Sequence, residues 1–185
     1  MFKKTFFFLI IIFYNQNVLS DEKEKIKSKL QNIKSIEFNF EQNTSNKLET
    51  GRCMLLFPKK LKCIYNDNKQ KELIINKNTM AITQKRYNKT YYYPISKSLF
   101  IKILSKKELI KLINISNLNT YKNTLRLTNL GSHGQKVDLI FNKKNYDLMG
   151  WKTRDKFNND INFLINIIST NKIFDDKEFI IPKLN

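Results

Sequence analysis

Few residues of this chain have both the type and the spacing for chemistry. Its two cysteines, Cys53 and Cys63, lie symmetrically about Pro58 in the stretch Gly51 to Tyr65, GRCMLLFPKKLKCIY. On either side of Pro58 the odd positions are apolar and the even ones largely basic, which is the alternation of two strands with one dry face. Pro58 has no N–H for a sheet ladder and belongs at the turn. Folded about it, Cys53 meets Cys63 and Leu55 meets Leu61. A cross-strand disulfide can then form in an oxidising compartment, whereas in a cytosolic chain the pair reads as two buried thiols. The single histidine, His133, sits in the Gly-flanked turn Gly131-Ser132-His133-Gly134 with no partner for acid–base work. Asp155 and Asp160 do not make a carboxylate pair, and no Ser or Cys has a nucleophile context. Four glycines leave no phosphate loop, and no Cys/His spacing suits zinc. The expectation is a protein that is not an enzyme and uses no metal or cofactor.

What remains is apolar surface, and the elements around the cysteine hairpin must position it. Ile26, Leu30 and Ile33 are helically spaced, with Asp21 as the expected N-cap. Ser35 to Gln42 alternates strictly, with Ile36, Phe38 and Phe40 on one face. Asn43 to Lys47 reads as a loop, and Asn66-Asp67-Asn68 as a turn. Glu72 to Ile75 and Thr79 to Thr83 form another hairpin, and Thr90 to Tyr93 a short aromatic strand. The period then changes. Ser98 to Leu104 is largely apolar, and Ser105-Lys106-Lys107-Glu108 has the form of a capping box ahead of a second amphipathic helix. Strands resume at Tyr121–Leu127, Lys136–Phe141, Tyr146–Thr153 and Asn162–Ile168. Many short strands with turn-sized gaps predict one antiparallel sheet, mainly β with helices, long enough that it must curl or close. Amphipathic helices would lie on its inner face. Incomplete filling would leave an apolar cavity for a lipid chain.

The first twenty residues have the plan of a secretory signal peptide: Lys3 and Lys4, an apolar run from Phe6 to Tyr14, then Val18 and Ser20 before Asp21. The run is shorter than the roughly 20 residues that span a bilayer. Cleavage after Ser20 would leave one domain over 21–185 with both cysteines exported. The formal net charge is +18. The lysines are scattered, without a compact basic run or an Arg cluster, so a solvated basic surface is expected rather than a nucleic-acid site. Attraction to anionic membranes stays open.

In order and spacing, several short motifs resemble the periplasmic outer-membrane lipoprotein carrier family, LolA. Phe40-Glu41-Gln42 is similar to its F-x-Q, and Gly51 opens the strand leading to Pro58. Tyr65 stands at a family aromatic, Trp151 to Asp155 resembles its late W-x-x-x-D strand, and Phe179 to Pro182 its closing F-x-x-P. The resemblance implies an incomplete β-barrel with a helical lid, working as a soluble monomer in the periplasm without nucleic acid. It also implies a cavity that takes lipoprotein acyl chains released by an inner-membrane transporter and hands them to an outer-membrane receptor. The expected cavity residues are Phe38, Phe40, Leu55, Phe57, Leu61, Tyr65, Leu73, Ile75, Tyr91 and Tyr93. Those of the lid are Leu99, Ile103, Leu109, Leu112 and Ile113. The family commonly has Arg before the hairpin Pro, tethering the lid; here Phe57 stands there, as an apolar tether. The rival expectation is an exported regulatory or scaffold protein of the same fold that senses lipids or lipoproteins.

Overall fold

The computed structural model describes residues 14–45, 47–95, 102–130, 136–154 and 159–183, with side chains from Asp21 onward. The apolar run of the leader, Leu99, His133 and Asp155 lie outside the described residues.

A helix α1 (Tyr14–Gln31) leads into β1 (Ser35–Thr44), β2 (Lys47–Leu56), β3 (Lys60–Tyr65), β4 (Lys71–Asn76), β5 (Thr79–Gln84) and β6 (Lys89–Pro94). Helix α2 (Lys106–Ile115) follows, then β7 (Asn117–Thr120), β8 (Thr124–Leu130), β9 (Lys136–Asn142), β10 (Leu148–Arg154) and β11 (Asp160–Thr170). A 3-10 turn at Asp176–Phe179 comes last.

The described strands form one eleven-stranded sheet in the order β6-β5-β4-β3-β2-β1-β11-β10-β9-β8-β7. Each pairing is antiparallel, and β1 joins the two meanders by pairing with β11. The expected curled sheet, an incomplete β-barrel, is corrected here. The order is linear, β6 and β7 are edges, and no pairing joins them. Length alone does not force closure. The inner face is dried instead by helices: Ile26 and Leu30 of α1 and Leu109, Leu112 and Ile113 of α2 share one buried cluster with Phe38, Leu55, Leu127, Leu139 and Phe141 of the strands.

Several boundaries also differ from the sequence reading. α1 begins before Asp21, so Asp21 is not its N-cap; it pairs instead with Lys25 one turn on. Ser105 is the N-cap of α2, but its side chain makes no cap hydrogen bond and Glu108 pairs with Lys111, so no capping box forms. The expected strand from Tyr121 to Leu127 is β8, which starts only at Thr124; an unexpected strand, β7, precedes it, and the two meet at a turn where the Tyr121 N–H donates to the Thr124 carbonyl. The chain's polar Asn117-Leu118-Asn119-Thr120 gave no strand signal because an edge strand buries little. β1 and β2 also extend through most of the predicted loop, pairing Thr44 with Lys47.

The outer face is mostly polar but carries a second, smaller core. Ile74 and Ala81 point away from the main cluster and are buried, together with Phe179 of the closing segment. Lys60–Asp176 and Lys62–Glu178 ion pairs hold this segment on, and the Asn76 side chain donates to the Phe179 carbonyl.

Candidate functional site

The site is built on the β2–β3 hairpin. Its register sets Cys53 against Cys63 and Leu55 against Leu61. The cysteines are joined by a disulfide, with Cα atoms 4.1 Å apart. The same rows continue into the neighbouring strands: Phe38 beside Cys53, Leu73 beside Cys63, and Ile36 and Ile75 flanking the Leu55–Leu61 pair. The period-two alternation of four strands thus puts one apolar stripe across the sheet.

Four rings continue that surface. Trp151 stacks on Phe163 at 4.2 Å between centroids, Phe163 stacks on Phe40 at 5.2 Å, and Tyr65 meets Phe40 edge-on at 5.0 Å. Gly51 makes this row possible. A Cβ there would lie 2.7 Å from the Phe40 ring and 2.2 Å from the Ile64 carbonyl oxygen. Gly150 plays the same part beside Phe163, at a φ of +144° that side chains rarely adopt. Lys71 sits 3.6 Å over the Tyr65 ring and is bound to Glu49. Burial, and then the nearby Glu49 and Asp67 charges, push the Tyr65 phenol well above its ordinary pKa, so it stays neutral.

Between this surface and the helices lies an apolar cavity of about 40 Å³. Of the ten expected cavity residues, Phe38, Leu55, Phe57 and Leu61 line it. Phe40 and Tyr65 belong to the adjoining ring row. Leu73 and Ile75 are buried in the same core, while Tyr91 and Tyr93 sit half-exposed on edge strand β6. Of the expected lid residues, Ile103 and Leu109 line the cavity, and Leu112 and Ile113 are buried behind them. The sequence reading missed the wall supplied by the other half of the sheet, Leu148, Trp151, Phe163, Ile165 and Ile167, by Leu30 of α1 and by Ile33 just after it. The alternation of Phe163, Ile165 and Ile167 was visible. What was not visible is that β11 pairs with β1, Phe38 facing Ile167 and Phe40 facing Ile165.

The cavity is not wholly apolar at its rim. Asp147 lies in the wall and reaches Lys29 of α1 at 3.2 Å. Neighbouring Tyr146 is held by Glu22, and burial and that carboxylate raise its pKa. At the hairpin end, the Lys106 ammonium stands 5.5 Å over the Phe57 ring. The cation expected from the family at Phe57 is therefore present, but it comes from the helix, across a cation–π contact. Backbone adds a second tie there, the Lys59 N–H donating to the Leu104 carbonyl at 3.0 Å.

The molecule is thus an open antiparallel sheet with helices laid over an apolar, disulfide-crossed inner face. The family model described as outer membrane lipoprotein carrier protein LolA matches residues 31–182, and the chain belongs to that family. Its members are carriers without catalytic activity, so this protein is not an enzyme, and its place is outside the cytoplasm with a general role in carrying lipids or lipoproteins. A comparison with curated protein sequences gave no match. Among solved structures, an uncharacterized conserved protein from Thermus thermophilus is similar over 91% of this chain and 95% of its own, at 8% identity and a TM-score of 0.54. The lipoprotein LppX of Mycobacterium tuberculosis is similar over 86% and 98%, at 11% identity and 0.51. The MucA/MucB complex of Pseudomonas aeruginosa is similar over 89% of this chain and 61% of the matched one, at 10% identity and 0.50. Likeness at such identities shows the fold. Among the described residues no helix is long and apolar enough to cross a membrane, and no three His, Cys, Asp or Glu side chains gather as a metal site.

Proposed function

We propose that the protein is a periplasmic carrier that takes the acyl chains of exported lipoproteins between its sheet and its helices. On this reading it collects them from an inner-membrane releasing transporter, passes them to an outer-membrane receptor, and works as a monomer whose leader is removed after Ser20. The observation that carries the reading is the cavity itself, walled almost wholly by hydrocarbon and rings and roofed by Ile103, Leu104 and Leu109. Nothing but apolar matter gains by entering such a space. The roof segment, continuing into α2, is the lid.

The chain's one tryptophan, Trp151, lines this cavity, which gives a direct test. A brominated long-chain fatty acid, titrated into the purified protein, should quench Trp151 fluorescence to saturation. Organic extraction of the protein from its native host should also yield acylated species by mass spectrometry. Absence of both quenching and extractable lipid would remove the carrier reading. The narrowness of the cavity favours a second reading in that case, an exported regulatory or scaffold protein that keeps its core filled and binds a protein partner. Stable co-purification of one protein partner by the lipid-free protein would support it.

A further inference from the structure

Lysines with no acidic partner gather at the hairpin end of the sheet. Backbone contacts fix the arrangement: the Lys59 N–H reaches the Leu104 carbonyl, and the Lys77 N–H reaches the Lys59 carbonyl, each at 3.0 Å. Lys102 and Lys106 lie two residues before and after Leu104, and Lys107 comes next. Lys59 meets the Asn78 side-chain oxygen at 3.4 Å, and Lys106 meets the Gln31 carbonyl at 3.2 Å. The exposed Lys77, Lys102 and Lys107 have no side-chain partner among the described residues. None of these five ammonium groups meets a carboxylate among the described residues.

Elsewhere part of the basic charge is paired. Glu37 takes up Arg52 and Lys172, Glu49 takes up Lys47 and Lys71, and Glu72 takes up Lys62 and Lys85. Other exposed lysines, Lys69, Lys89 and Lys152 among them, also meet no carboxylate among the described residues, so what sets this end apart is the apolar turn its lysines surround. At the centre of the five lysines is an apolar point, the exposed Pro58 next to Phe57, and Phe57 and Leu104 behind it are already cavity wall.

We propose that this lysine-rimmed end docks on an anionic lipid bilayer, with the five ammonium groups among phosphate-bearing headgroups and the Phe57–Pro58 turn at the interface. Lysines on flexible stems, spread over two turns and a helix start, suit a diffuse and laterally mobile anionic surface; a single rigid acidic site is better met by the fixed fork of Arg. An apolar point within a basic rim is also the two-part signal that holds proteins at membranes reversibly. The inference stands on charge and position, and it does not depend on what fills the cavity.

Binding of the purified full chain to vesicles of phosphatidylcholine alone and of phosphatidylcholine with phosphatidylglycerol tests it. The readout is the ratio of the two affinities, which cancels any charge-independent insertion. The triple variant K77Q/K102Q/K107Q should lower that ratio on the order of 100-fold, since each lysine near an anionic surface contributes roughly fivefold. The variant K69Q/K89Q/K152Q removes three exposed lysines away from this end and the same total charge. It should leave the ratio within a few-fold of the parent, and added salt should weaken the parent's preference. Equal losses in both triple variants would mean diffuse charge and overturn the proposal. So would a parent with no preference for anionic vesicles, the outcome expected if an acidic protein is the true partner.

Discussion

Cys53 and Cys63 were legible from sequence because everything needed to pair them is local. A proline marks the turn, and strict alternation sets the faces. The bond closes a loop with a sequence separation of ten residues, so it removes a modest amount of unfolded-state freedom. Replacing both cysteines by Ser should cost about 2–3 kcal/mol, read as a lower urea midpoint with an unchanged slope. Glu37 was illegible for the opposite reason. Alternation puts it on the face opposite Ile36, Phe38 and Phe40, yet it is 5% exposed. The groups that satisfy it, Ser169 and Lys172, lie more than a hundred residues away and arrive only when β11 pairs with β1. Burial alone would raise the Glu37 pKa, but hydrogen bonds from Lys172 and Arg52 outweigh it and hold the carboxyl below its ordinary range. A lowered folded pKa gives stability that is complete above about 4.3, the unfolded value, and is lost as pH falls through the folded one. Glu37→Gln should therefore be less stable at neutral pH and show a flatter loss of stability below about pH 4, measured by denaturant melts at several pH values. An unchanged acid limb would show that Glu37 is not a main sensor.

At the scale of elements, strong periods were read correctly and weak ones were not. The cysteine hairpin, β1, β4, β5 and α2 have clear alternation or helical spacing, and they appear within a few residues of where that patterning places them. β7 failed because an edge strand of Asn and Thr has one half-buried residue, Leu118, to announce it. The 3-10 turn at Asp176–Phe179 was read only as a tail, since one aromatic cannot show which side of a sheet it covers. Phe179 is fully buried on the outer face, so Phe179→Ala should cost about 3–5 kcal/mol by denaturant melt. It should do so without touching ligand uptake, because the cavity is on the other side. α2 makes the contrasting case. Leu109 is fully buried and lines the cavity. Leu109→Ala should cost about 2–5 kcal/mol, and on the carrier reading it should also speed acyl-chain uptake by loosening the roof. Equal uptake rates in stopped-flow Trp151 quenching would show that Leu109 does not gate entry.

For the whole molecule, the argument from strand number to a curled barrel failed because closure is one of several ways to dry a sheet face. Here helices do it, and no pairing joins the described edges. The consequence is a ligand space that the helices occupy themselves. A cavity of about 40 Å³ is small against the roughly 300–1,000 Å³ of ligand pockets, so an acyl chain can enter only by lifting part of the roof. Uncovering Leu109, Leu112 and Ile113 costs roughly 1.5–3 kcal/mol each, or about 5–9 kcal/mol together. A chain recovers about 0.8 kcal/mol per buried methylene. Eight carbons return about 6 kcal/mol, which falls within the range of the opening cost, whereas sixteen return about 12 kcal/mol and exceed it throughout. Affinity should therefore rise steeply between these lengths rather than evenly from the shortest chain upward. Trp151 quenching with brominated chains of eight to eighteen carbons would measure it. Weak or no binding at eight and saturable binding at sixteen is the expected result. A shallow, even dependence from eight carbons onward would mean that the chain lodges outside the helices, and that the roof does not move.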